Sequence, residues 1–260
     1  MNKKKITALF EYRLIPELMA FVPKEGRKSL LKSLMNLQSA IYRLDSYLES
    51  KWKLKDENLE VFWDEIYRII MGMNFTMEEA QKMTSSIRRY QLHEQQLRAN
   101  KLPTRLDPEY YYYYKSCDVR LMRHIILSKA ETEIKGLNVS NWRYYDLITE
   151  INDDIEDIFE DLDVINGNMF LVKIYQDGLK EAVSYFDDLL DEILVKSVER
   201  AHKKDSERIK EIKSQTFKRY VETKQLLLSQ RKAIKKKGLN KKSPIIKRLN
   251  KMNPASTSDE

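Results

Sequence analysis

Glycine and proline are scarce in this chain, since each occurs only six times among 260 residues. A protein built from many short strands needs frequent turns, and glycine and proline supply most of the backbone conformations that turns require. Apolar residues nevertheless make up 42% of the sequence, which is enough to form a hydrophobic core in a chain of this length. The sequence therefore predicts an all-α protein with long helices.

The spacing of apolar residues supports the same prediction. A stripe at alternating steps of three and four residues is formed by Leu34, Leu37, Ile41, Leu44 and Leu48. This spacing places the stripe on one face of an amphipathic helix. Further helices are predicted over residues 77–100, 109–135, 169–203 and 205–236. No repeat or linker interrupts residues 1–230, so we expect one bundle of long antiparallel helices over that range.

Cysteine and histidine usage excludes several kinds of site. Cys117 is the single cysteine, which rules out a disulfide framework and a cysteine-built zinc site. Three scattered histidines leave little for a histidine-rich metal centre. The apolar runs are shorter than the ~18 residues of a membrane span, and the stretch that follows the basic Met1–Lys5 is too short for a signal peptide. We therefore expect a cytoplasmic protein.

Much of the net charge of +7 is concentrated near the end of the sequence. The stretch from Arg231 to Lys251 contains ten basic residues and no acidic residue, so the rest of the chain is nearly neutral. We expect residues 231–260 to form a basic, flexible tail. Such a tail could contact an anionic membrane surface and make the protein membrane-peripheral. Nucleic acid is disfavoured as a partner, because the rest of the chain shows no basic face.

The most informative stretch is the acidic segment, residues 150–163, which contains eight acidic residues and no basic residue. We predict that it lies on a helix running from about Ser140 to about Val164, with acidic and apolar residues on opposite faces. Asp153 and Asp157 form one of several like-charged pairs four residues apart, and each pair disfavours a helix by about 0.2–0.5 kcal/mol. Carboxylates at this spacing can share a divalent cation, and oxygen ligands favour Mg²⁺. The alternative is an ordinary solvated face.

The acidic segment resembles the second metal-binding motif of the class I isoprenoid synthases. Residues 153–157 read DDxxD, as in polyprenyl synthases. Residues 152–160 read N-D-x-x-E-x-x-x-E, which is similar to the terpene cyclase motif N-D-x-x-S/T-x-x-x-E. Residues 157–161 are similar to the D-x-x-E-D motif of squalene and phytoene synthases. The resemblance implies a set of Mg²⁺ ligands that consists of Asn152, Asp153, Glu156, Asp157 and Glu160.

That family carries a first acidic motif on an earlier helix, facing the second motif across a cavity. Asp45 and Glu49 are similar to the D-x-x-x-D first motif of squalene and phytoene synthases, which implies further Mg²⁺ ligands, although acids at the edge of an apolar stripe also occur without a metal. Arg219 and Tyr220 resemble the Arg-Tyr pair that hydrogen-bonds diphosphate in terpene cyclases. Arg120 precedes the acidic segment, where a diphosphate-sensing arginine could lie.

The resemblance implies a Mg²⁺-dependent terpenoid or isoprenoid synthase that ionises an allylic prenyl diphosphate and then cyclises or couples it. The Gly-Lys-Arg segment of chain-elongating synthases is not evident, which argues against that branch. One alternative is a non-catalytic helical interaction protein with an acidic docking helix and a basic tail. Another is an all-α, Mg²⁺-dependent nucleotide pyrophosphohydrolase. A homodimer is compatible with the sequence.

Overall fold

The structure is a computed structural model that describes residues 3–130, 137–200, 206–240 and 243–252. Within these ranges the chain forms α-helices and short 3-10 helices without any β-strand, which confirms the all-α prediction. No helix in the described ranges combines the length and the apolar character that crossing a membrane would require. The helices are grouped in two compact units, each made from two separate stretches of the sequence.

The described residues contain twelve α-helices and four short 3-10 helices. In chain order the α-helices are α1 (Lys3–Tyr12), α2 (Ile15–Met19), α3 (Lys24–Ser50), α4 (Asp56–Met71), α5 (Met77–Arg98), α6 (Pro108–Lys115), α7 (Cys117–Ser128), α8 (Arg143–Glu156), α9 (Met169–Asp177), α10 (Leu179–Glu199), α11 (Glu207–Lys237) and α12 (Pro244–Met252). Two of the 3-10 helices, Asp157–Phe159 and Asp161–Asp163, follow α8 directly.

Unit 1 consists of Met1–Gln91 and Tyr114–Val139. Helices α3 and α4 pack together, and the apolar stripe of α3 is buried, as its spacing predicted. Trp63 on α4 is fully buried, and its indole nitrogen donates a hydrogen bond to Gln91 Oε1 on α5 at 2.7 Å. The guanidinium of Arg88 lies 4.1 Å from the centre of the Trp63 ring. These contacts hold α5 against α4.

Unit 2 consists of Leu92–Tyr113 and Ser140–Glu260. Its central helix is α8, which packs against α9, α10 and α11. Ten of the fourteen residues of α8 are buried, and several of these ten are polar. Because polar groups removed from water require hydrogen-bonding partners, α8 is tied to its neighbours by polar contacts as well as by apolar packing.

The acidic segment is shorter as an α-helix than its sequence predicts. Helix α8 begins at Arg143 rather than near Ser140, and it ends at Glu156 rather than near Val164. The chain then continues through the two 3-10 helices at Asp157–Phe159 and Asp161–Asp163. Repulsion among successive acidic side chains disfavours further α-helical turns at this point. The long helix predicted over residues 169–203 is likewise divided, at Gly178, where φ is 89°.

Much of the segment that we expected to form a flexible tail is helical. Helix α11 continues to Lys237, and residues 244–252 form α12. Three apolar residues of α12 are buried, namely Ile245, Ile246 and Leu249. Helix α12 packs against α9 and against the 3-10 helix Asp161–Asp163. The basic and apolar residues of this stretch alternate at helical spacing, so its apolar side is buried while Lys247 stays exposed. Residues 241–242 and 253–260 lie outside the described residues.

Candidate functional site

The carboxylates of the acidic segment that reach solvent lie at the end of α8 and in the 3-10 helices that follow it. Asp161 and Asp163 are two of them, and the other four are the predicted ligands Asp153, Glu156, Asp157 and Glu160. Asp153 is half-buried and the other three are exposed. The apolar residues that anchor the same segment, Ile151, Ile155 and Ile158, are fully buried in unit 2. Apolar packing on one side therefore presents the four carboxylates on the other.

Asp157 is crowded by negative charge. Partial burial of its carboxyl group, followed in importance by the charges of Asp161, Asp153, Glu160 and Glu156, raises the pKa of Asp157 from 3.8 to about 6. Neighbouring carboxylates disfavour the ionised form, and a bound cation would reverse that effect. Among the described residues, no group of three or more His, Cys, Asp or Glu side chains forms a ready-made metal site.

Asn152 joins α8 to α11. Its amide nitrogen Nδ2 donates a hydrogen bond to Thr223 Oγ1 at 2.9 Å, and both side chains are buried. The Thr223 hydroxyl in turn donates to the backbone oxygen of Arg219 at 2.8 Å. The resemblance implies that Asn152 is a metal ligand. In the structure its side chain instead bonds α8 to α11, one residue before Asp153.

Asp154 was not among the candidate ligands, and the structure gives it an interior role. Its carboxylate is fully buried and accepts hydrogen bonds from the Tyr112 hydroxyl and from the backbone nitrogen of Met169, both at 2.8 Å. Burial and the adjacent Asp154 charge raise the pKa of Tyr112 well above its ordinary value, so this hydroxyl stays protonated and can donate. Asp154 thus faces the interior, whereas Asp157 faces solvent.

Asp154 is the last of three buried acidic residues on α8. Asp146 and Glu150, which precede it at four-residue steps, are 1% and 4% exposed. The face of α8 that carries its acidic residues is therefore buried over much of the helix, and it meets solvent only near Glu156. The sequence signal for these three residues was their four-residue spacing, which is also the spacing of residues 152, 156 and 160 in the motif. This spacing predicts that Asp146, Glu150 and Asp154 share a face of α8, but it does not predict that this face is buried.

Arg219 and Tyr220 face different neighbours of α11. The side chain of Arg219 is largely buried, and its Nη1 forms an ion pair with Glu222 at 3.1 Å. Its guanidinium lies 5.8 Å from the centre of the Tyr145 ring on α8. The Tyr220 hydroxyl instead donates to Asp191 Oδ1 on α10 at 2.6 Å. Of the predicted Arg-Tyr pair, only Arg219 therefore has its side chain beside α8.

The remaining candidates belong to unit 1. Asp45 and Glu49 lie on α3, and both are half-buried beside its apolar stripe. Arg120 lies on α7 and is also half-buried. The structure thus brings together the four predicted carboxylate ligands of the acidic segment within unit 2, and it places these three candidates in the other unit.

Comparison of the chain with protein-family models, with curated proteins and with solved structures gave no significant match. The resemblance to class I isoprenoid synthases therefore depends on the motif residues themselves.

Proposed function

We propose that this chain is a Mg²⁺-dependent class I isoprenoid synthase that ionises an allylic prenyl diphosphate, which is then cyclised or coupled. The observation that carries the proposal is the group of four carboxylates around Asp157, presented by a segment whose other side is buried. Mg²⁺ is usually bound through one or two carboxylates together with substrate phosphates and water, rather than in a cage made only of protein. The absence of a three-residue cage among the described residues is compatible with such a site.

The residues present fit the chemistry of Mg²⁺. The ligands offered by the acidic segment are carboxylate oxygens, which this ion prefers. When bound, Mg²⁺ would stabilise the negative charge that develops on the departing diphosphate. Asp153 and Asp157 would hold the ion, and repulsion at Asp157 would be relieved. Arg219 would contribute positive charge beside α8, as a donor suited to phosphate oxygens.

A thermal unfolding experiment tests this proposal. The unfolding midpoint of the full chain is measured with Mg²⁺ alone, with inorganic pyrophosphate alone and with both together. A ligand at 100 times its dissociation constant stabilises the folded state by about 2.7 kcal/mol. We expect the midpoint to rise by a few degrees only when both are present. Geranyl, farnesyl and geranylgeranyl diphosphates would then be screened for products.

Matched variants make this experiment specific to the acidic segment. Asp153→Asn with Asp157→Asn should abolish the combined shift, because it removes two carboxylates from the group. Asp188→Asn with Glu192→Gln removes two exposed acids from α10 and should leave the shift intact. No shift in the wild-type chain would contradict the proposal. A shift with a nucleoside triphosphate but not with pyrophosphate would instead favour the nucleotide pyrophosphohydrolase.

A non-catalytic interaction protein is the second candidate function. Val195 and Val198 on α10 and Phe217 on α11 are each more than half exposed. Helices α10 and α11 pack against each other, and exposed apolar patches are typical of surfaces that contact other proteins. This candidate predicts that Mg²⁺ and pyrophosphate together leave the unfolding midpoint unchanged, so the same thermal experiment separates it from the enzyme.

A further inference from the structure

Asn168 connects three elements next to the acidic segment. Its side-chain nitrogen Nδ2 donates to the backbone oxygen of Asp154 at 2.7 Å and to Asp161 Oδ2 at 2.6 Å. Its side-chain oxygen accepts from the backbone nitrogen of Leu171 at 2.8 Å, which caps the start of α9. Asn168 is almost fully buried. A single amide group therefore ties the end of α8, the 3-10 helix that holds Asp161, and α9.

The Asp154 side chain provides a second connection between α8 and α9, and it also connects α8 to α6. Its Oδ2 atom accepts from Met169 at the start of α9 and from the hydroxyl of Tyr112 on α6. Tyr112 is fully buried, as is Asp154. A buried carboxylate is costly unless donors match it, and removing one donor leaves the other partner uncompensated. The two hydrogen bonds therefore favour one orientation of Asp154, with its carboxylate facing the interior.

The orientation of Asp154 determines where its neighbours face. Successive residues of an α-helix are separated by about 100° around its axis, so an inward Asp154 turns the adjacent Asp153 toward a different side. Asp153 is accordingly half-buried, and Asp157, which follows the end of α8, is exposed. The DDxxD string thus contains two kinds of aspartate. Asp154 is held in the interior by hydrogen bonds, whereas Asp153 and Asp157 reach solvent.

We propose that Asp154 is a positioning residue: through Tyr112 and Met169 it holds Asp153 and Asp157 at the surface where they bind a divalent cation, and it is not itself a ligand. This inference rests on the proposed function, because it divides the roles of residues within the same site. Residues that orient metal ligands through hydrogen bonds typically affect metal affinity by about 10- to 100-fold when mutated.

Two substitutions of Asp154 separate a positioning role from a ligand role. Asp154→Asn removes the charge, but its Oδ1, placed where Oδ2 of Asp154 lies, can still accept from both the Tyr112 hydroxyl and the Met169 nitrogen. Asp154→Ala removes both hydrogen bonds. We measure Mn²⁺ binding to the full chain by electron paramagnetic resonance, with inorganic pyrophosphate present. We expect Asp154→Ala to weaken binding by about tenfold or more, and Asp154→Asn to remain close to wild type.

Each other result overturns the inference. Equal losses in the two variants would show that the charge of Asp154 binds the cation directly, which would make it a ligand. Unchanged binding in Asp154→Ala would show that Asp154 has no influence on the ligands. Asp157→Asn serves as the reference for a ligand and should weaken Mn²⁺ binding.

A measurement without metal tests whether the hydrogen bonds of Asp154 to Tyr112 and Met169 hold the acidic segment in place. Its outcome does not depend on the proposed function. We expect amide hydrogen exchange over residues 157–168 to become faster in Asp154→Ala and to stay close to wild type in Asp154→Asn. Unchanged exchange in Asp154→Ala would overturn this structural role, whatever the chain binds. If the wild-type chain bound no Mn²⁺ but hydrogen exchange changed as expected, the proposed function and the ligand roles would be wrong. The structural role of the Asp154 hydrogen bonds would still be supported.

A milder variant covers the case in which Asp154→Ala does not fold. Tyr112→Phe removes only the hydroxyl that donates to Asp154, and it should also raise exchange over residues 157–168 and weaken Mn²⁺ binding. Tyr144→Phe is the matched control, since the Tyr144 side chain is half-buried and makes no hydrogen bond in the described part of the chain. Identical behaviour of the two variants would overturn the inference.

Discussion

Asn152 on α8 and Thr223 on α11 are joined by a buried hydrogen bond, in which Asn152 Nδ2 donates to Thr223 Oγ1 at 2.9 Å. The two side chains are 4% and 0% exposed. Helices α8 and α11 pack closely against each other. Apolar packing tolerates sliding more readily than a directional hydrogen bond does. This polar pair therefore specifies how α11 aligns with the helix that leads into the acidic segment.

Thr223→Val should lower the free energy of unfolding. Valine is similar in shape to threonine but offers no acceptor, so Asn152 Nδ2 loses this partner inside the protein. We expect a loss of about 1–3 kcal/mol, measured by urea denaturation. Thr216→Val on the same helix is the control, because Thr216 is also buried and its hydroxyl donates to the backbone oxygen of Ile212. If Thr223→Val and Thr216→Val lowered the free energy of unfolding equally, the contact between Thr223 and Asn152 would have no special role in stability.

Gly167→Ala should also destabilise the folded chain. A Cβ atom at Gly167 would lie 2.7 Å from the Tyr111 hydroxyl and 2.9 Å from Glu94 Oε1. Both neighbours are buried, and Tyr111 donates a hydrogen bond to the backbone oxygen of Gly167 at 2.7 Å. Since these side chains have little room to move, we expect a loss of about 1–3 kcal/mol in the free energy of unfolding.

The matched control for this substitution is Gly26→Ala. Gly26 lies in α3, and apart from its chain neighbours and the nearby backbone of that helix no atom would come within 4 Å of an added Cβ. Alanine is a better helix former than glycine by about 0.8–1 kcal/mol, so this variant should be as stable as wild type or more stable. A stable Gly167→Ala variant would show that the Tyr111 and Glu94 side chains can rearrange.

Most of the helices could be predicted, because helical periodicity is a local property of the sequence. The stripe from Leu34 to Leu48 is buried on α3, as its spacing required. The end of α8 could not be predicted in this way. Charge repulsion in the acidic segment disfavours further helical turns, but it does not set the residue at which α8 ends. Asn168 lies outside this local pattern and donates hydrogen bonds to the backbone oxygen of Asp154 and to the Asp161 side chain. Tertiary contacts of this kind override local propensity.

The surroundings of the acidic face could be predicted only in part. A helical wheel shows which residues share a face, but it does not show whether that face meets water or other parts of the protein. Glu156 and Asp157 are exposed, whereas Glu150 and Asp154, which the wheel places on the same face, are buried. The difference arises because α8 is surrounded by its neighbours over most of its length and emerges only near its end.

Leu249→Ala should destabilise unit 2 if α12 is packed as the structure describes. Leu249 is 1% exposed. Truncating a buried leucine to alanine typically costs about 2–5 kcal/mol in the free energy of unfolding, depending on how far the cavity collapses. Urea denaturation of the full chain provides the measurement. Lys247→Ala is the control on the same helix, because Lys247 is exposed and should change stability by less than about 0.5 kcal/mol. If both variants matched wild type, the segment would behave as the flexible tail that its charge suggested.

Asp157→Asn should change how stability depends on pH. The pKa of Asp157 is about 6 in the folded chain, above its ordinary value of 3.8, because its carboxyl group is partly buried and other acids surround it. The folded state therefore binds more protons than the unfolded state between these values. The stability that this group contributes is present below about pH 4 and is lost as the pH rises through about 6. Asparagine cannot ionise, so the variant should be the more stable protein at neutral pH.

The measurement is urea unfolding of both proteins in metal-free buffer at several pH values between about 4 and 7.5. The advantage of Asp157→Asn should be smallest at the lowest pH, where Asp157 is protonated in the folded state and only partly ionised in the unfolded state, and should grow as the pH rises. Asp188→Asn on α10 controls for the loss of an exposed acid and should show no such growth. A constant difference across this range would mean that folding does not raise the pKa of Asp157. A cation bound by the group should reduce the advantage, because it stabilises the ionised form that asparagine cannot supply.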